Sequence, residues 1–500
     1  MSFDCLIIGN AILGLTTAYR LTQLAPHATV GIIGPATRPS SATAAAGAML
    51  GVFGEVTAAH VADTYEHDYF NLAYQAQRLW PTFVEDLNNQ INPNNPIRIH
   101  PNGTFILHNT QGTTQDDTPN YRAILDTLQA YQEPHAEVMP EDIPGLRPEE
   151  HARALAGIHI PNEGSIDPLT VLSALDEILN KHNQVTYIDG TVAKLLTAQH
   201  NDHLIQGVTL NNGDTYTAKH VVVAAGVGTQ SLIDTLPALQ GRIPRLLAGD
   251  GSALVLDQTA LGDHAIEHVI RTPNRAGLCG IHVVPHVQHQ HRLYLGAGNT
   301  PHWNPIPGGL LENVASVIQG GRREINRDLA KARLLTLNKG DRPLSIDRYP
   351  LFGASTCVEG LWFLTGTGRD GFQRSPLLSL HIAKKIIGDT HLSTIEQETL
   401  AIFETFAPER LFLQPHSQET SIQNIKKDMY CSFHESSGNL PNNGLNHRFF
   451  EGLDRDIRDI YAQLDVDFAI PSIIIPLIIY QRISLDAVKA YLHTVQRAWC

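Results

Sequence analysis

The sequence predicts an α/β fold that opens on a parallel strand–helix–strand unit, and three observations predict it. The run Asp4-Cys-Leu-Ile-Ile enters Gly9 without a polar break, as a buried parallel strand does before a tight turn. From Leu13 to Leu24 the apolar spacing changes to helical, with Leu13, Ala18, Leu21 and Leu24 on one face. Thr29 to Ile33 then reads as a second parallel strand. Between the first strand and the helix, Gly9, Ala11 and Gly14 sit at the spacing of a dinucleotide-binding turn, with Ala in the middle position. A turn without side chains lets a pyrophosphate reach the backbone, and the helix N-terminus supplies unpaired N–H groups and positive dipole. The alternative is a structural glycine turn in another α/β protein.

Composition narrows the classes. At 500 residues the chain has room for two or three domains. A formal net charge of −14 argues against nucleic acid or an anionic membrane as the main partner. Five scattered cysteines (Cys5, Cys279, Cys357, Cys431, Cys500) without CxxC spacing predict free thiols in a reducing, cytoplasmic setting and no zinc site. The apolar N-terminus lacks a basic flank and is broken by the glycine turn, so it is not read as a signal peptide. Ile470 to Tyr480 is apolar but holds two prolines and is too short to span a bilayer.

Along the chain, the position about 20 residues past Gly14, where dinucleotide folds place an acid for the adenosine ribose, is Gly34 followed by Pro35. Arg38 to Leu50 is a loop of small residues, read either as backbone passing a flat ligand or as a flexible linker. Helical spacing runs from Tyr69 to Leu87 and from Tyr121 to Tyr131. A strand pair is expected at Ile97–His100 and Gly103–Leu107 around a Pro101-Asn102 turn. Gly157–Ile160 reads as a strand, and a helix follows Pro168 through Leu179. Two strands frame Asn212-Gly213, the second ending in Val221 to Gly226. Strands at Ala253–Leu256, Ile281–Val284 and Leu293–Leu295 precede helices expected between Leu310 and Leu337. Leu361–Leu364 is a strand, Thr365–Gly371 a glycine loop, and Ser375 is expected to cap a helix with Pro376 in its first turn. His286, His289 and His291 fall in a hairpin turn and are read as solvated rather than metal-binding. From residue 395 the chain reads as a helical extension. Phe449–Leu464 and Leu485–Val495 carry amphipathic spacing whose apolar faces need cover. That cover is expected from the main body, then from a subunit contact in a homo-oligomer, then from a lid or partner.

Taken in order, Gly9-x-Ala11-x-x-Gly14, Thr43 to Leu50, Gly103-Thr104, Gly164 to Pro168, Val221 to Gly226, Arg342-Pro343 and Thr365 to Gly371 resemble the D-amino-acid-oxidase-like FAD-dependent oxidoreductases, and most of all their glycine/sarcosine oxidase branch. The resemblance implies a doubly wound, Rossmann-like FAD domain in discontinuous pieces (1–58, 146–240, 335–394). It also implies a substrate domain with a large antiparallel sheet (59–145, 241–334), ahead of the extension 395–500. It implies non-covalent FAD, since Cys357 matches no covalent-flavin motif. The implied chemistry is oxidation of a C–N bond by hydride transfer to flavin N5, with oxygen or another carrier as electron acceptor. The substrate is an amine or amino acid or, as the extra C-terminal segment suggests, a larger biosynthetic intermediate.

Carried residue by residue, the resemblance places Gly9, Ala11 and Gly14 at the pyrophosphate and Thr43, Ala45, Gly47 and Met49 along the flavin. Val192 falls near the adenine, and Ala225 and Gly226 near the dinucleotide. Gly366, Gly368, Gly371, Phe372 and Gln373 follow the isoalloxazine edge, and Ser375-Pro376 marks a helix start facing its pyrimidine side. Arg342 matches an arginine that clamps a substrate carboxylate. Arg369 matches a second loop arginine, with Asp370 where the family has Asn. His282 stands where the branch carries a carboxylate-holding tyrosine. Two other readings remain at this point: an interaction protein that keeps FAD as a structural element, and a nicotinamide-dependent dehydrogenase.

Overall fold

A computed structural model describes residues 1–38, 41–112, 116–275, 279–413, 417–437, 445–466 and 468–499. Five parallel strands form the spine of its first sheet, in the order Leu361–Thr365, Thr215–Val223, Ser2–Ile8, Val30–Ile33 and Val185–Ile188. Ser2–Ile8 is central, pairing Cys5–Ile8 with Val30–Ile33 on one side and with His220–Val223 on the other. A strand covered on both faces must be apolar at every position, which explains its unbroken hydrophobic run. Ile7 points into a core under the helices Ile12–Leu24, Thr64–Asn88, Pro168–Leu179 and Gly371–Ile387. Leu6 and Ile8 point the other way, into a core closed by the antiparallel strands Val192–Ala198 and Asn201–Leu210.

The second sheet has nine strands, mostly antiparallel. Its backbone is the pairing of Leu246–Asp257 with Arg333–Ser345 along the full length of both strands. This corrects the helical reading up to Leu337. Leucines at 334, 335 and 337 fit a helix face as well as a strand, and the long-range partner decides. The expected Ile97–Leu107 hairpin also does not form. Thr104–Asn109 lies between Ala154–Ile160 and Val269–Arg271, while Ile99 bridges to Ile166. The histidine turn is as expected, joining His282–Pro285 to Arg292–Gly296.

The C-terminal helices pack back on the body. Thr394–Thr405 places Ile402 and Phe403 in the same core as the parallel sheet. The helices beyond it build their own core around Ile425, Ile457, Ile474 and Leu492, which continues onto Leu247, Trp303 and Ile346 of the body. Buried Arg410 grips Asp347 with two bonds of 3.0 Å, and the Tyr491 hydroxyl accepts from the Arg245 N–H at 3.1 Å. Among the described residues no helix is long and apolar enough to cross a membrane, and no group of three metal-ligating side chains forms. Cys5, Cys279 and Cys357 are free thiols, while Cys500 lies outside the described residues, as do Pro39 and Ser40 of the small-residue loop.

Candidate cofactor and substrate cavity

A cavity of about 440 Å³ opens at the carboxyl ends of the parallel strands, between the two sheets. In open α/β sheets this is where ligands bind, because strand ends leave loop backbone and helix N-termini facing one crevice. Ser375 and Pro376 do not line it, and of the other residues expected from the sequence all do except Gly14 and Gly366. Those two shape it from outside. A Cβ on Gly14 would run into the Gly9 carbonyl, so the bare residue lets helix Ile12–Leu24 sit directly on the strand end. Gly366 turns the chain at φ +69°, with a Cβ position only 3.1 Å from Leu351.

The first end of the cavity is backbone. Gly9 adopts φ +118°, and a side chain there would meet the Ala224 carbonyl, so the first strand and the strand ending at Val223 converge as only glycine allows. Ala11 offers no side-chain cap to helix Ile12–Leu24, and the first turn carries no acid. Its amides therefore stay available to an anion. Ala225, Gly226 and Val192 complete this end. The cradle has the room, the bare backbone and the donors that a dinucleotide pyrophosphate needs.

The middle is the small-residue loop, pressed between two walls. A Cβ on Gly340 would lie 2.9 Å from Ala42 and Ala45, and one on Gly47 would lie 2.8 Å from the Tyr294 ring. The Tyr294 hydroxyl donates to the Ala45 carbonyl at 3.1 Å, and Met49 and Leu50 pair with Ser165 and Gly164. Thr43 is buried beside them. Across the cavity, the last long helix of this domain starts at Gly371, four residues before Ser375. Its uncapped amide end is therefore Gly371-Phe372-Gln373, and Ser375-Pro376 lies inside the helix. Tertiary contacts extend it upstream: the Trp80 indole donates to the Gln373 carbonyl at 2.7 Å, and Arg374 pairs with Asp370 at 2.7 Å.

The far end is charged. Arg369 pairs with Glu55 at 2.6 Å, and Arg271 engages the other Glu55 oxygen in a very short contact. Burial opposes ionisation of Glu55, but the two arginines outweigh it and hold the carboxyl below its usual range. Asn274 donates to the same carboxylate at 3.0 Å, and the Cys279 thiol lies 3.5 Å from Arg369. Asp370 is tied to the Tyr69 hydroxyl at 2.8 Å as well as to Arg374. Beneath them, one oxygen of buried Glu163 accepts the N–H groups of Val52, Phe53 and Gly54 at 2.6, 2.5 and 3.2 Å, which orders the turn carrying Glu55.

Arg342 differs from its neighbours. It donates to the Gly298 carbonyl, and among the described residues no carboxylate pairs with it. His282 is buried against Tyr294, with the two rings nearly parallel. Its Nδ1 lies 3.1 Å from the Gly280 carbonyl, and because a carbonyl only accepts, Nδ1 carries the hydrogen and Nε2 holds a lone pair. Burial, with Arg271 close by, pushes its pKa down to about 3, so the ring is neutral.

Sequence reasoning missed Glu55, Arg271, Asn274, Cys279, Tyr294 and Glu163. Glu55 gave a faint signal, an acid closing the small-residue loop. The others stand in strands or turns with nothing in the local pattern to separate them from core or surface.

The sequence matches the model of the family described as "FAD dependent oxidoreductase" over residues 4–385. This chain belongs to that family, and the cofactor is FAD. Among solved structures, glycine oxidase from Geobacillus kaustophilus superposes with a TM-score of 0.65 at 20% identity, covering 82% of this chain and 99% of that one. Iminodiacetate oxidase from Chelativorans sp. BNC1 gives 0.62 at 20% identity, over 81% and 100%. L-proline dehydrogenase from P. horikoshii gives 0.63 at 16% identity, over 81% and 99%. These likenesses establish the fold. No curated protein matches the chain at significant similarity.

Proposed function

We propose that this FAD-dependent oxidoreductase oxidises the C–N bond of an amine that carries a carboxylate, such as an amino acid or N-substituted amino acid. The observation that carries the reading is Arg342, a guanidinium facing the cavity with no acidic partner among the described residues. A half-buried guanidinium without an acidic partner attracts an anion, and a carboxylate can accept from two of its N–H groups at once. Enzymes named for oxidising glycine, iminodiacetate and L-proline share the fold and support the same class.

Bound FAD supplies the two-electron oxidant at its isoalloxazine ring. The chain's own residues position the substrate against it. Arg342 holds the carboxylate. Glu55 pairs with both Arg271 and Arg369 and so reduces the pull of that end of the cavity on the same anion. His282 cannot donate a second hydrogen bond while its N–H is engaged, so it does not replace a tyrosine as a carboxylate donor. Its Nε2 lone pair is instead available to accept an N–H of the substrate amine and so orient the C–N bond that is oxidised. The Gly371–Gln373 amides offer positive potential to the charge that develops on the pyrimidine side of the reduced ring.

The test is anaerobic titration of the yellow protein with amino acids, N-alkylated amino acids and the matching amines without a carboxylate. Bleaching of the flavin band by the carboxylated members alone is expected. Equal bleaching by the decarboxylated amines sinks the reading.

A further inference from the structure

Dinucleotide folds hold the adenosine ribose with a carboxylate at the end of the second strand, and this chain has Gly34 there. The space that acid needs is taken. A Cβ on Gly34 would fall 2.5 Å from Cγ and 2.6 Å from Oδ1 of Asn10, with no other atom nearly as close. Asn10 follows directly on Gly9 and lines the same cavity. Its Nδ2 donates to the Pro35 carbonyl at 2.9 Å. Only an amide N–H can make that bond, so Oδ1 is fixed on the opposite side. No donor among the described residues reaches Oδ1, although Asn10 as a whole is only 8% exposed.

A second group backs this arrangement. Arg38 is held at φ +48°, with Nε donating to the Asn10 carbonyl at 2.7 Å and one terminal nitrogen pairing with Asp176 at 2.6 Å. Asp176 is itself fixed by the Tyr187 hydroxyl at 2.9 Å. The remaining Arg38 nitrogen has no partner among the described residues, and Arg38 lines the cavity. Asn10 and Arg38 thus bring an acceptor and a donor to the same cavity, where a carboxylate otherwise accepts from a diol. A vicinal diol can donate to Asn10 Oδ1 and accept from Arg38.

We propose that Asn10, steadied by the Arg38–Asp176 pair, holds the adenosine ribose of FAD in place of the carboxylate missing at Gly34. The loss of the acid and the presence of Asn10 are then one exchange between two positions that share a single space.

The experiment measures dissociation constants of FAD and FMN for the flavin-stripped protein by quenching of flavin fluorescence, because FMN lacks the adenosine half. Asn10→Ala is expected to weaken FAD by about tenfold and leave FMN within twofold. Gly34→Glu alone is expected to weaken FAD further, whereas Asn10→Ala with Gly34→Glu is expected to recover most of the affinity, since the acid then has room. FAD built on 2′-deoxyadenosine, tested on the unaltered protein, is expected to bind several-fold more weakly, a measurement that does not depend on any variant folding. Equal binding of the deoxy compound, an equal loss of FMN affinity in Asn10→Ala, or no recovery in the double variant overturns the proposal.

Discussion

The two ends of the cavity are built on opposite principles. At the Gly9–Gly14 end the pyrophosphate cradle is backbone, with the side chains of Asn10 and Arg38 beside it. At the Arg342–Arg369 end the protein crowds charged side chains from four separated parts of the chain into a shared pocket. A pyrophosphate is recognised by the same amide geometry in every dinucleotide protein, so a short local motif suffices. A substrate is recognised by charge and shape, and those groups need be close only in space.

Substitutions at the two ends are therefore expected to fail differently. The largest effect belongs to Gly14→Val, whose side chain would drive the first helix off its strand. It is expected to cost at least about 3 kcal/mol of stability and to yield protein without flavin, read by thermal melting and by absorbance at the flavin band. A holoprotein of normal stability breaks the contrast at its first end.

At the other end, Arg342→Ala is expected to keep its flavin while kcat/KM falls about a hundredfold, the worth of two charge-assisted hydrogen bonds. Arg342→Lys recovers part of that loss. Loss of flavin from Arg342→Ala merges the two ends and removes the distinction. Glu55→Gln is next. It leaves Arg271 and Arg369 without their shared counter-charge, and a KM change of about tenfold for a carboxylated substrate is expected at unchanged flavin content. An effect confined to melting temperature makes Glu55 a structural residue only.

The smallest effect is a pH slope. Burial pushes the Glu163 carboxyl up to about 7 from 4.5, against three backbone N–H groups that favour its charged form. The folded chain then binds more protons than the unfolded one between those values. The contribution of Glu163 is fully present below pH 4.5 and is lost as pH rises to about 7. Glu163→Gln cannot ionise, and its oxygen still accepts the three amides. Chemical denaturation across this window should show a flatter slope for the variant, by up to about 3 kcal/mol. Parallel slopes in the two proteins remove Glu163 from the account.

The same contrast explains what was legible. The dinucleotide strand, turn and helix were read from residues 4–24 because each element's signal lies within itself. Where a pattern admitted two structures, the partner strand decided, as with Leu334 to Leu337 against Leu246–Asp257. The start of the helix after the glycine loop was misplaced for the same reason. Ser375-Pro376 is a good local start, but Trp80 and Asp370 carry the helix back to Gly371. Arg342 was found through its motif, whereas Arg271, without one, became visible only beside Glu55.

By itself the sequence determined the α/β class, the dinucleotide turn, the order of the family's motifs and the helical tail, all carried by periodicity or by short spacings. Tertiary structure decided which charges meet, that His282 presents a lone pair, that the tail closes on the body, and that Asn10 fills the room an acid at Gly34 would need. Those facts depend on distances between residues far apart in the chain, and such distances exist only once the two sheets have been brought together.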